Sequence, residues 1–292
     1  MKIRELRHNL WNIGFYEDGL ESLLTVKTPN IHWVKKKFKD RWFADPFILE
    51  VNDSEIIILA EEFCYEVKRG RIARVVIDRH TYEEKNYSII FDLPTHLSFP
   101  FIYRKGEKVY VMPENSASGC STIYEYDDTT LAMSRIGEVS NEPFTDAIIV
   151  EIDGNYHLWT TMQPYPNGKT LAIYGFDQDK LCATCRQTEV SFLRNTARNA
   201  GECFKVAGKI YRPAQDCTEH YGQGVIIQEC IRKNGDLQFL DINSFYPSSF
   251  KYNHGIHTLN HYKGVTVFDT CGYRYPVIGR IAKFLISIIN RG

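Results

Sequence analysis

The stretch DPFILEVNDSEIIILAE, residues 45–61, holds an apolar run, a polar turn at Asn52-Asp53-Ser54 and a second apolar run. Apolar residues that flank a short polar turn are the sequence pattern of a β-hairpin. The pattern recurs four times, with turns at Lys105-Gly106, Asp153-Gly154, Ala207-Gly208 and Lys263-Gly264. Counted from the second residue of each turn, the steps are 53, 48, 54 and 56 residues. The sequence therefore predicts five hairpins at a nearly constant period.

A period of about fifty residues accommodates four short strands with their loops, which is one β-propeller blade. Helical and leucine-rich repeats have shorter periods, and a β-sandwich, the alternative all-β fold, does not require regular spacing. We therefore predict an all-β protein, a five-bladed β-propeller with a short C-terminal amphipathic helix. The predicted boundaries are an N-terminal segment closing onto the propeller over residues 1–40, the propeller over residues 41–275 and the helix over residues 276–292.

Composition restricts the class of protein and of partner. Of the 292 residues 43% are apolar and 24% are charged, and the formal net charge is −1. These values are typical of a globular protein with a core and do not indicate a nucleic-acid partner. The eight cysteines include one CxxC pair, Cys182 and Cys185, without the second pair that would complete a zinc site. No apolar stretch is long enough for a secretory signal or a membrane span, so we expect a cytoplasmic protein with reduced thiols.

Polar residues fall at matching distances from the predicted turns. Those eight positions before or after a turn are Asp45, Ser98, Asp146, Glu61, Glu114 and Asp216. Residues equidistant from a hairpin turn are cross-strand neighbours, and the strand ends of successive blades meet at the propeller axis. The fourth and fifth repeats would bring Arg198, Asn199, Glu202 and His257 to the same place. This predicts a polar ring around one mouth of the central channel, at the end away from the turns.

A polar ring of this kind suits a polyhydroxylated ligand, because each sugar hydroxyl both donates and accepts hydrogen bonds. The alternative is structural, since propeller blades also use single acids to tie turns to neighbouring strands. Carboxylates gathered in one concavity mark functional sites more often than isolated acids do. We interpret the ring as a candidate sugar site, while any single acid in it is open to either interpretation.

Five segments in order along the chain carry a resemblance to a known family. They are FADPF at residues 43–47, LSFPF at 97–101, MPENSA at 112–117, ARNAG at 197–201, and QDC at 215–217 followed by Tyr221-Gly222. Together they resemble the propeller domain at the N-terminus of plant glucosamine inositolphosphorylceramide transferases and its stand-alone bacterial relatives. The resemblance implies a carbohydrate-active propeller. In the plant proteins the domain that resembles a glycosyltransferase is a separate one, which this chain lacks.

More distantly, Ala44-Asp45-Pro46 is similar to the first blade of the arabinanase, levansucrase and invertase class of propeller enzymes. That resemblance implies a base or nucleophile at Asp45 and a transition-state-stabilising acid at Asp146. The proton donor of that class, a glutamate in a later blade, has no clear counterpart, because Arg198 and Asn199 occupy the corresponding strand. Glu202 lies four residues on, and Glu114 and Asp216 are substitutes. Hydrolysis requires that acid, whereas an arginine suits a phosphate leaving group, so the departure favours transfer or binding without chemistry.

Three hypotheses for function follow. The first is glycosyl transfer in surface polysaccharide or glycolipid biosynthesis, with Asp45 as general base and Arg198 and His257 facing the leaving phosphate. The second is glycoside hydrolysis of the furanosidase type. The third is a non-catalytic carbohydrate-binding module that partners a separate glycosyltransferase.

The site residues that these hypotheses share are of two kinds. The predicted catalytic residues are Asp45, Asp146 and Glu114. The predicted substrate-binding residues are Glu62, Ser98, Asn115, Arg198, Asn199, Glu202, Asp216, Tyr221 and His257. No cofactor or metal ligand set is predicted, although several carboxylates and Asn115 could bind a divalent cation at the channel mouth.

The C-terminal segment over residues 276–292 combines a wide apolar face with basic residues at helical spacing, Arg280, Lys283 and Arg291. Such a helix suits the surface of an anionic membrane. The alternative is a helix that packs on the propeller or in a dimer interface. The first interpretation predicts a cytoplasmic protein that is peripheral on the inner face of the membrane.

Overall fold

The computed structural model describes residues 9–35, 37–249, 251–273, 275, 277–279 and 281. Within these ranges twenty β-strands form five four-stranded antiparallel sheets. The first strands of successive blades contact one another around the axis, as β3 does with β7 and β7 with β11. The predicted five-bladed β-propeller is confirmed.

The first three blades follow one another in the sequence, each built from four consecutive strands. Blade I consists of β3 (Arg41–Val51), β4 (Glu55–Cys64), β5 (Arg69–Asp78) and β6 (Glu84–Phe91). Blade II consists of β7 (Ser98–Lys105), β8 (Lys108–Glu114), β9 (Ser121–Asp127) and β10 (Ala132–Ser140). Blade III consists of β11 (Phe144–Ile152), β12 (Asn155–Met162), β13 (Thr170–Asp177) and β14 (Cys182–Ser191).

The last two blades differ, because the fifth is assembled from both ends of the chain. Blade IV consists of β15 (Phe204–Val206), β16 (Lys209–Asp216), β17 (Gly224–Lys233) and β18 (Asp236–Phe245). Blade V consists of β19 (Leu259–Tyr262), β20 (Val265–Tyr273), β1 (Asn9–Tyr16) and β2 (His32–Trp33). Two short 3-10 helices, Glu21–Leu24 and Ser116–Ser118, lie in the loops.

The pairing of β1 with β20 closes the ring. Its register runs antiparallel from Asn9↔Tyr273 to Tyr16↔Thr266, and β2 then pairs with β1 on the outer side. A ring held by backbone hydrogen bonds between the two chain ends leaves no open gap between the first and last blades. The boundary drawn at residue 41 therefore falls after two strands that belong to blade V.

The five predicted hairpins join the first and second strands of the five blades. One turn is displaced by a residue: β7 ends at Lys105 and β8 begins at Lys108, so the second turn is Gly106-Glu107 rather than Lys105-Gly106. Gly106 takes a left-handed conformation with φ 60°, which glycine adopts without a steric penalty. This shift changes which residue of blade II corresponds to Asp45.

Aromatic side chains fill the spaces between blades. Each of the five interfaces contains at least one ring pair, with centroids between 4.4 and 5.9 Å apart. In order around the ring the pairs are Phe91–Tyr124, Tyr103–Phe176, Trp159–Phe239, Phe245–Phe268 and Phe15–Tyr82. Such pairs contribute large buried areas and favourable ring geometry. Much of the 13% aromatic content therefore serves the packing of the propeller.

A short C-terminal helix is present, as predicted. Val277, Ile278, Gly279 and Ile281 are helical, and the Gly279 N–H donates to the Tyr275 carbonyl at 2.7 Å. The rest of the segment predicted over residues 276–292 lies outside the described residues. In the described part of the chain, none of the helices has the length and apolar character needed to cross a bilayer.

Candidate functional site

Three β-bulges place residues at the channel mouth. Asp45, Phe99 and Asp146 each have a left-handed backbone, with φ of 49°, 43° and 44°, near the start of the first strand of blades I, II and III. The strand registers shift at the same points. A bulge of this kind bends the strand and redirects a side chain. The residue of blade II that corresponds to Asp45 and Asp146 is therefore Phe99, and the predicted Ser98 lies one position earlier, paired with Glu114.

Asp45, His257 and Asp269 form one buried group at this mouth. His257 Nδ1 lies 2.5 Å from Asp269 Oδ2 and 3.7 Å from Asp45 Oδ1. Asp269 Oδ1 accepts the backbone N–H groups of His257 and Thr258, each at 2.9 Å. Asp45 accepts the Thr258 hydroxyl at 2.7 Å and the Phe99 N–H at 3.1 Å, and its own N–H donates to Asp269 at 3.1 Å. The Asp45 carboxylate thus connects blades I, II and V.

His257 lies between two aromatic side chains. The Trp11 ring stacks on it with centroids 3.9 Å apart, and Tyr221 approaches edge-on at 5.4 Å. Burial would lower the pKa of the imidazole, but Asp269 and Asp45 together raise the pKa of His257 above its ordinary value. For Asp45, burial raises the pKa and His257 opposes that shift. The imidazolium therefore offsets part of the negative charge of the two carboxylates.

Arg198 holds a second group on the other side of the mouth. Its Nε and Nη2 contact the two Asp146 oxygens at 2.6 and 3.2 Å, Nη2 also reaches Glu114 at 3.3 Å, and Nη1 donates to Asn167 at 2.8 Å. Gln215 donates a further hydrogen bond to Asp146 at 2.8 Å. The guanidinium carbon lies 5.0 Å from the centre of the Tyr221 ring. Most of its five N–H donors are therefore engaged within the protein.

The acids of this second group have different protonation preferences. Burial opposes ionisation of Glu114, but Arg198 and a hydrogen bond with Asp146 lower its pKa below the ordinary value. Burial raises the pKa of Asp146 well above its ordinary value, with Arg198 opposing and Glu114 reinforcing the shift. Glu61, buried beside them, has a strongly raised pKa because of burial and the neighbouring carboxylates, Asp45 first among them. Glu61 and Asp146 therefore take up protons more readily than Glu114 does.

Unpaired polar atoms also concentrate here. Among the described residues six buried side-chain atoms have no hydrogen-bond partner, and four of them border the mouth: Glu61 Oε1, Asn115 Oδ1, Thr145 Oγ1 and Thr161 Oγ1. Glu61 Oε1 lies 3.3 Å from His96 Nε2, but without hydrogen-bond alignment. Buried polar groups are nearly always paired in folded proteins, with protein atoms, water or a ligand. Four such atoms at one opening have hydrogen-bonding capacity left for water or for a ligand.

One predicted residue of blade I belongs to a different surface. Successive side chains of a strand point to opposite faces, so Glu61 and Glu62 lie on opposite faces of β4. Glu62 is fully buried and pairs with Arg41 and Arg71, each at 2.9 Å. Glu61, not Glu62, lies with the mouth carboxylates.

Two residues predicted in the ring, Asn199 and Asp216, make framework contacts. The amide of Asn199 donates to the Asp146 and Trp159 carbonyls at 2.8 and 2.9 Å, and its oxygen accepts from Arg212 at 2.8 Å. The hydrogen-bond partners of Asp216 are Thr218, Gln223 and Tyr246, and Arg194 of the loop after β14 lies 3.8 Å from its carboxylate. These hydrogen bonds hold blade IV and its loops in place.

Glu202 lies at the opposite end of the axis. It lines a cavity of about 380 Å³ together with Tyr103, Arg104, His261 and Tyr262, near the hairpin turns of blades II to V. Burial raises its pKa from 4.5 to about 7, with Arg104 opposing. The turn-based alignment could not place it, because Glu202 precedes the short strand β15 by two residues and the chain enters that strand from the axis.

This pKa shift predicts a pH-dependent stability. A carboxyl whose pKa is raised in the folded state makes folding less favourable as the pH rises from about 4.5 to about 7, because only the unfolded chain releases the proton there. Glu202→Gln is therefore expected to exceed the wild type by roughly 3 kcal/mol in free energy of unfolding above pH 7, and by nothing below pH 4. Urea unfolding at both pH values measures this, with the exposed Glu219→Gln as control. An equal difference at the two pH values would contradict it.

Several residues of the mouth were not among the predicted catalytic and substrate-binding residues. Asp269, Thr258, Gln215 and Trp11 contact the predicted residues directly. For Asp269 a signal exists: it is the one acid in β20, VTVFDTCGY, a strand whose residues are all buried. An acid in a fully buried strand requires a partner inside the protein.

Among the described residues, Asp45, His257 and Asp269 also form a group that could hold a metal ion, since one ligand atom from each lies within 4.8 Å of the others. Two carboxylates and an imidazole are a suitable donor set for a divalent cation. The same atoms are already satisfied, however, because His257 pairs with Asp269 and Thr258 donates to Asp45. A divalent cation at the mouth stays a prediction.

Comparison with known proteins agrees with this geometry. The family model for the N-terminal part of glucosamine inositolphosphorylceramide transferase 1 matches residues 27–260, which include blades I to IV and part of blade V. The chain belongs to this family. The resemblance noted in the sequence is therefore confirmed.

Curated relatives of the family are plant proteins. Glucosamine inositolphosphorylceramide transferase 1 of Arabidopsis thaliana is 24% identical over 251 residues, which cover 77% of this chain and 33% of that protein. The protein of the same name from Oryza sativa subsp. japonica is 26% identical over 212 residues, covering 70% and 27%. The chain thus spans a third or less of the length of these relatives.

Solved structures show the same fold in carbohydrate-active enzymes. An exo-β-1,3-galactanase from Phanerochaete chrysosporium superposes with a TM-score of 0.56 at 9% identity, over 82% of this chain and 62% of that one. An α-L-arabinofuranosidase from Clostridium thermocellum does so with a TM-score of 0.51 at 15% identity, over 78% and 81%. At these identities the likeness concerns the fold alone. Family and fold together make this a carbohydrate-related propeller protein.

Proposed function

We propose that this protein transfers a sugar onto an acceptor hydroxyl in surface polysaccharide or glycolipid biosynthesis, and that the reaction takes place at the channel mouth. The named activity of the curated relatives supports transfer of a sugar. The four unpaired polar atoms at the mouth support a hydroxyl-rich ligand there.

The observation that carries transfer rather than hydrolysis is the position of Arg198. Glycoside hydrolysis needs a protonated carboxyl to donate to the leaving oxygen. Arg198 lies 3.3 Å from Glu114 and keeps this carboxyl ionised, so Glu114 is a poor donor. Asp146 and Glu61, whose pKa values are raised, are the donors left to the hydrolase alternative. A donor sugar with a phosphate leaving group does not need that proton. The arginine therefore fits an activated donor, although it acts by pairing with Asp146 and Glu114 and not by reaching the phosphate.

Asp45 is the general base in this proposal. Each of its oxygens accepts one hydrogen bond, from Thr258 and from Phe99, so each keeps a lone pair for a substrate proton. The acceptor oxygen forms a bond to the anomeric carbon while its proton passes to Asp45. The bond from that carbon to the leaving phosphate breaks, and the phosphate departs with the bonding electrons. Burial, which raises the pKa of Asp45, strengthens the base.

The test is product analysis with the purified full chain. Nucleotide-activated sugars are incubated with lipid and oligosaccharide acceptors, and mass spectrometry follows donor consumption and product mass. Transfer predicts a product heavier than the acceptor by one sugar residue. Release of sugar from glycans without any donor would instead establish the hydrolase alternative. If the chain consumes neither an activated donor nor a glycan, the proposal that it is a catalyst is contradicted.

The length of the relatives favours a second candidate, a non-catalytic carbohydrate-binding module. The chain matches only 33% of the Arabidopsis protein, and the remaining length could hold the catalytic domain. This hypothesis predicts saccharide binding at the mouth without turnover. Calorimetric titration of the same donors and acceptors distinguishes it, because binding that Asp146→Asn weakens would be seen in the absence of product.

The site of action follows from the proposed acceptor. Assembly of surface glycans would place the protein in the cytoplasm, peripheral on the inner face of the membrane through residues 276–292. All eight cysteines are free thiols in the structure, which suits a reducing compartment. Fractionation of cells with and without residues 276–292 tests this location.

A further inference from the structure

Exposed apolar side chains are distributed unevenly over the propeller. The described residues include eleven large apolar side chains that are at least 37% exposed. Three of them, Ile136, Leu240 and Ile242, lie on the outermost strands β10 and β18. The other eight lie beyond strand ends on the channel-mouth face: Tyr165, Leu193, Tyr221, Tyr246, Tyr275, Val277, Ile278 and Ile281.

The strand directions establish which face this is. Thr145 and Thr161 pair at the mouth, so the loop after β12, which holds Tyr165, leaves from that face. Thr170 pairs with Ser191, which places the end of β14 and Leu193 there as well. The C-terminal helix follows β20, whose last residues also point toward the mouth. Among the described residues, none of the eleven lies at the turn end, where glycine and lysine are frequent.

These side chains protrude singly from separate segments. Leu193 is 96% exposed and Tyr165 is 79% exposed, and each stands on its own loop of blade III. Val277, Ile278 and Ile281 are exposed on the helix. A protein partner would need a matching hole for each of them, whereas a bilayer takes up protruding side chains without a fixed complementary shape.

Basic residues accompany the apolar ones. Lys169 and Lys251 are exposed on the same face, in the loops that follow β12 and β18. Arg194, in the loop after β14, is also exposed there and is paired with Asp241. Cations beside inserted apolar side chains add attraction to anionic headgroups. The combination of apolar tips and flanking cations is that of a peripheral membrane surface.

The apolar face is continuous with the functional site through Tyr221. Its ring is 44% exposed, yet it contacts the Arg198 guanidinium and the edge of His257. A membrane bound to this face would therefore present its lipid headgroups directly to the channel mouth.

We propose that the channel-mouth face docks on a phospholipid bilayer through Tyr165, Leu193 and the exposed helix residues, and so delivers a lipid headgroup to the site. The identity of the headgroup as acceptor rests on the proposed function. The docking itself does not, because it needs no donor and no turnover.

Vesicle sedimentation tests the docking with the full chain. We expect the wild type to sediment with phosphatidylcholine vesicles, and more strongly when phosphatidylserine is included. The double variant Tyr165→Ser/Leu193→Ser is expected to lower the vesicle partition constant by roughly tenfold or more. It loses two apolar side chains that the docked wild type buries in the bilayer. The control is Ile136→Ser with Leu240→Ser, which removes two apolar side chains, 45% and 48% exposed, from the outer strands and should leave binding unchanged.

Three results would overturn the proposal. The first is a wild type that sediments with neither vesicle. The second is an equal loss of binding in both double variants, and the third is a Tyr165/Leu193 variant that binds as well as the wild type. Sedimentation velocity of the protein alone tests whether a second copy of this chain occupies the face instead. A dimer that only the Tyr165/Leu193 variant disrupts would show that the face is a dimer interface and not a membrane surface. If docking holds while no acceptor is glycosylated, the proposed function fails and the docking surface stands.

Discussion

Replacing Arg198 by glutamine is expected to lower the free energy of unfolding by about 3–5 kcal/mol at neutral pH. In the described part of the chain, the guanidinium is the only cation paired with Asp146 and Glu114, and its side chain is only 12% exposed. Removing one partner of a buried pair leaves the other charges without compensation, which costs more than the pair itself contributes. Urea unfolding of the variant and the wild type measures the difference.

Two variants separate charge from packing in this result. In Arg198→Gln with Asp146→Asn, one of the abandoned carboxylates becomes neutral, so we expect a smaller loss than in the single variant. Arg194→Gln makes the same substitution in an exposed pair with Asp241 and should stay within about 1 kcal/mol of the wild type. The loss in Arg198→Gln should also shrink as the pH falls, since protonation removes the uncompensated charge. A double variant no more stable than the single one would show that the cation acts by packing.

Replacing Asp45 by asparagine is expected to reduce the rate of sugar transfer by roughly 10²–10⁴-fold, the usual contribution of a general base. An amide cannot take up the proton of the acceptor hydroxyl. The loss should appear in kcat, with KM for the donor little changed, because the base acts in the chemical step. Steady-state kinetics with the acceptor identified by product analysis measures it.

The control for Asp45→Asn is Asp216→Asn, which alters a carboxylate that is equally buried but bonded to Thr218, Gln223 and Tyr246. This variant should lose stability and retain kcat. Comparing the melting temperatures of both variants shows how much activity is lost through folding, since Asp45 also accepts the Phe99 N–H. Full activity of Asp45→Asn would remove Asp45 from the mechanism.

The fold could be predicted because its signal is local and repeated. Each hairpin has its own turn and flanking apolar runs, so four turns were placed to the residue. The error at the second turn came from choosing Lys105-Gly106 over Gly106-Glu107, which differ by one residue and share the glycine. Because β-strand side chains alternate between faces, this shift was enough to put Ser98 in the place of Phe99.

The site could be predicted in part, by the same local rule. Counting outward from the turns found Asp45, Asp146 and Glu114, which lie at strand ends of blades I to III. The rule selected Glu61 in blade I, whereas Glu62, predicted to bind substrate, lies on the other face of β4 and pairs with arginines. It could not find Asp269, which contacts His257 and Thr258 just before β19 and Asp45 in blade I.

The five hairpins of the opening stretch and its repeats were determined by the sequence alone, since turn chemistry and apolar alternation act over a few residues. They settle the number of blades and the end of each blade at which the polar residues stand. Only the tertiary structure decided which of those residues meet. Closing the ring brings the Asp45 N–H within 3.1 Å of the Asp269 carboxylate, 224 residues away. It also places the Arg198 guanidinium in contact with Asp146 and Glu114. Contacts across such separations depend on the packing and closure of all five blades, which no local pattern specifies.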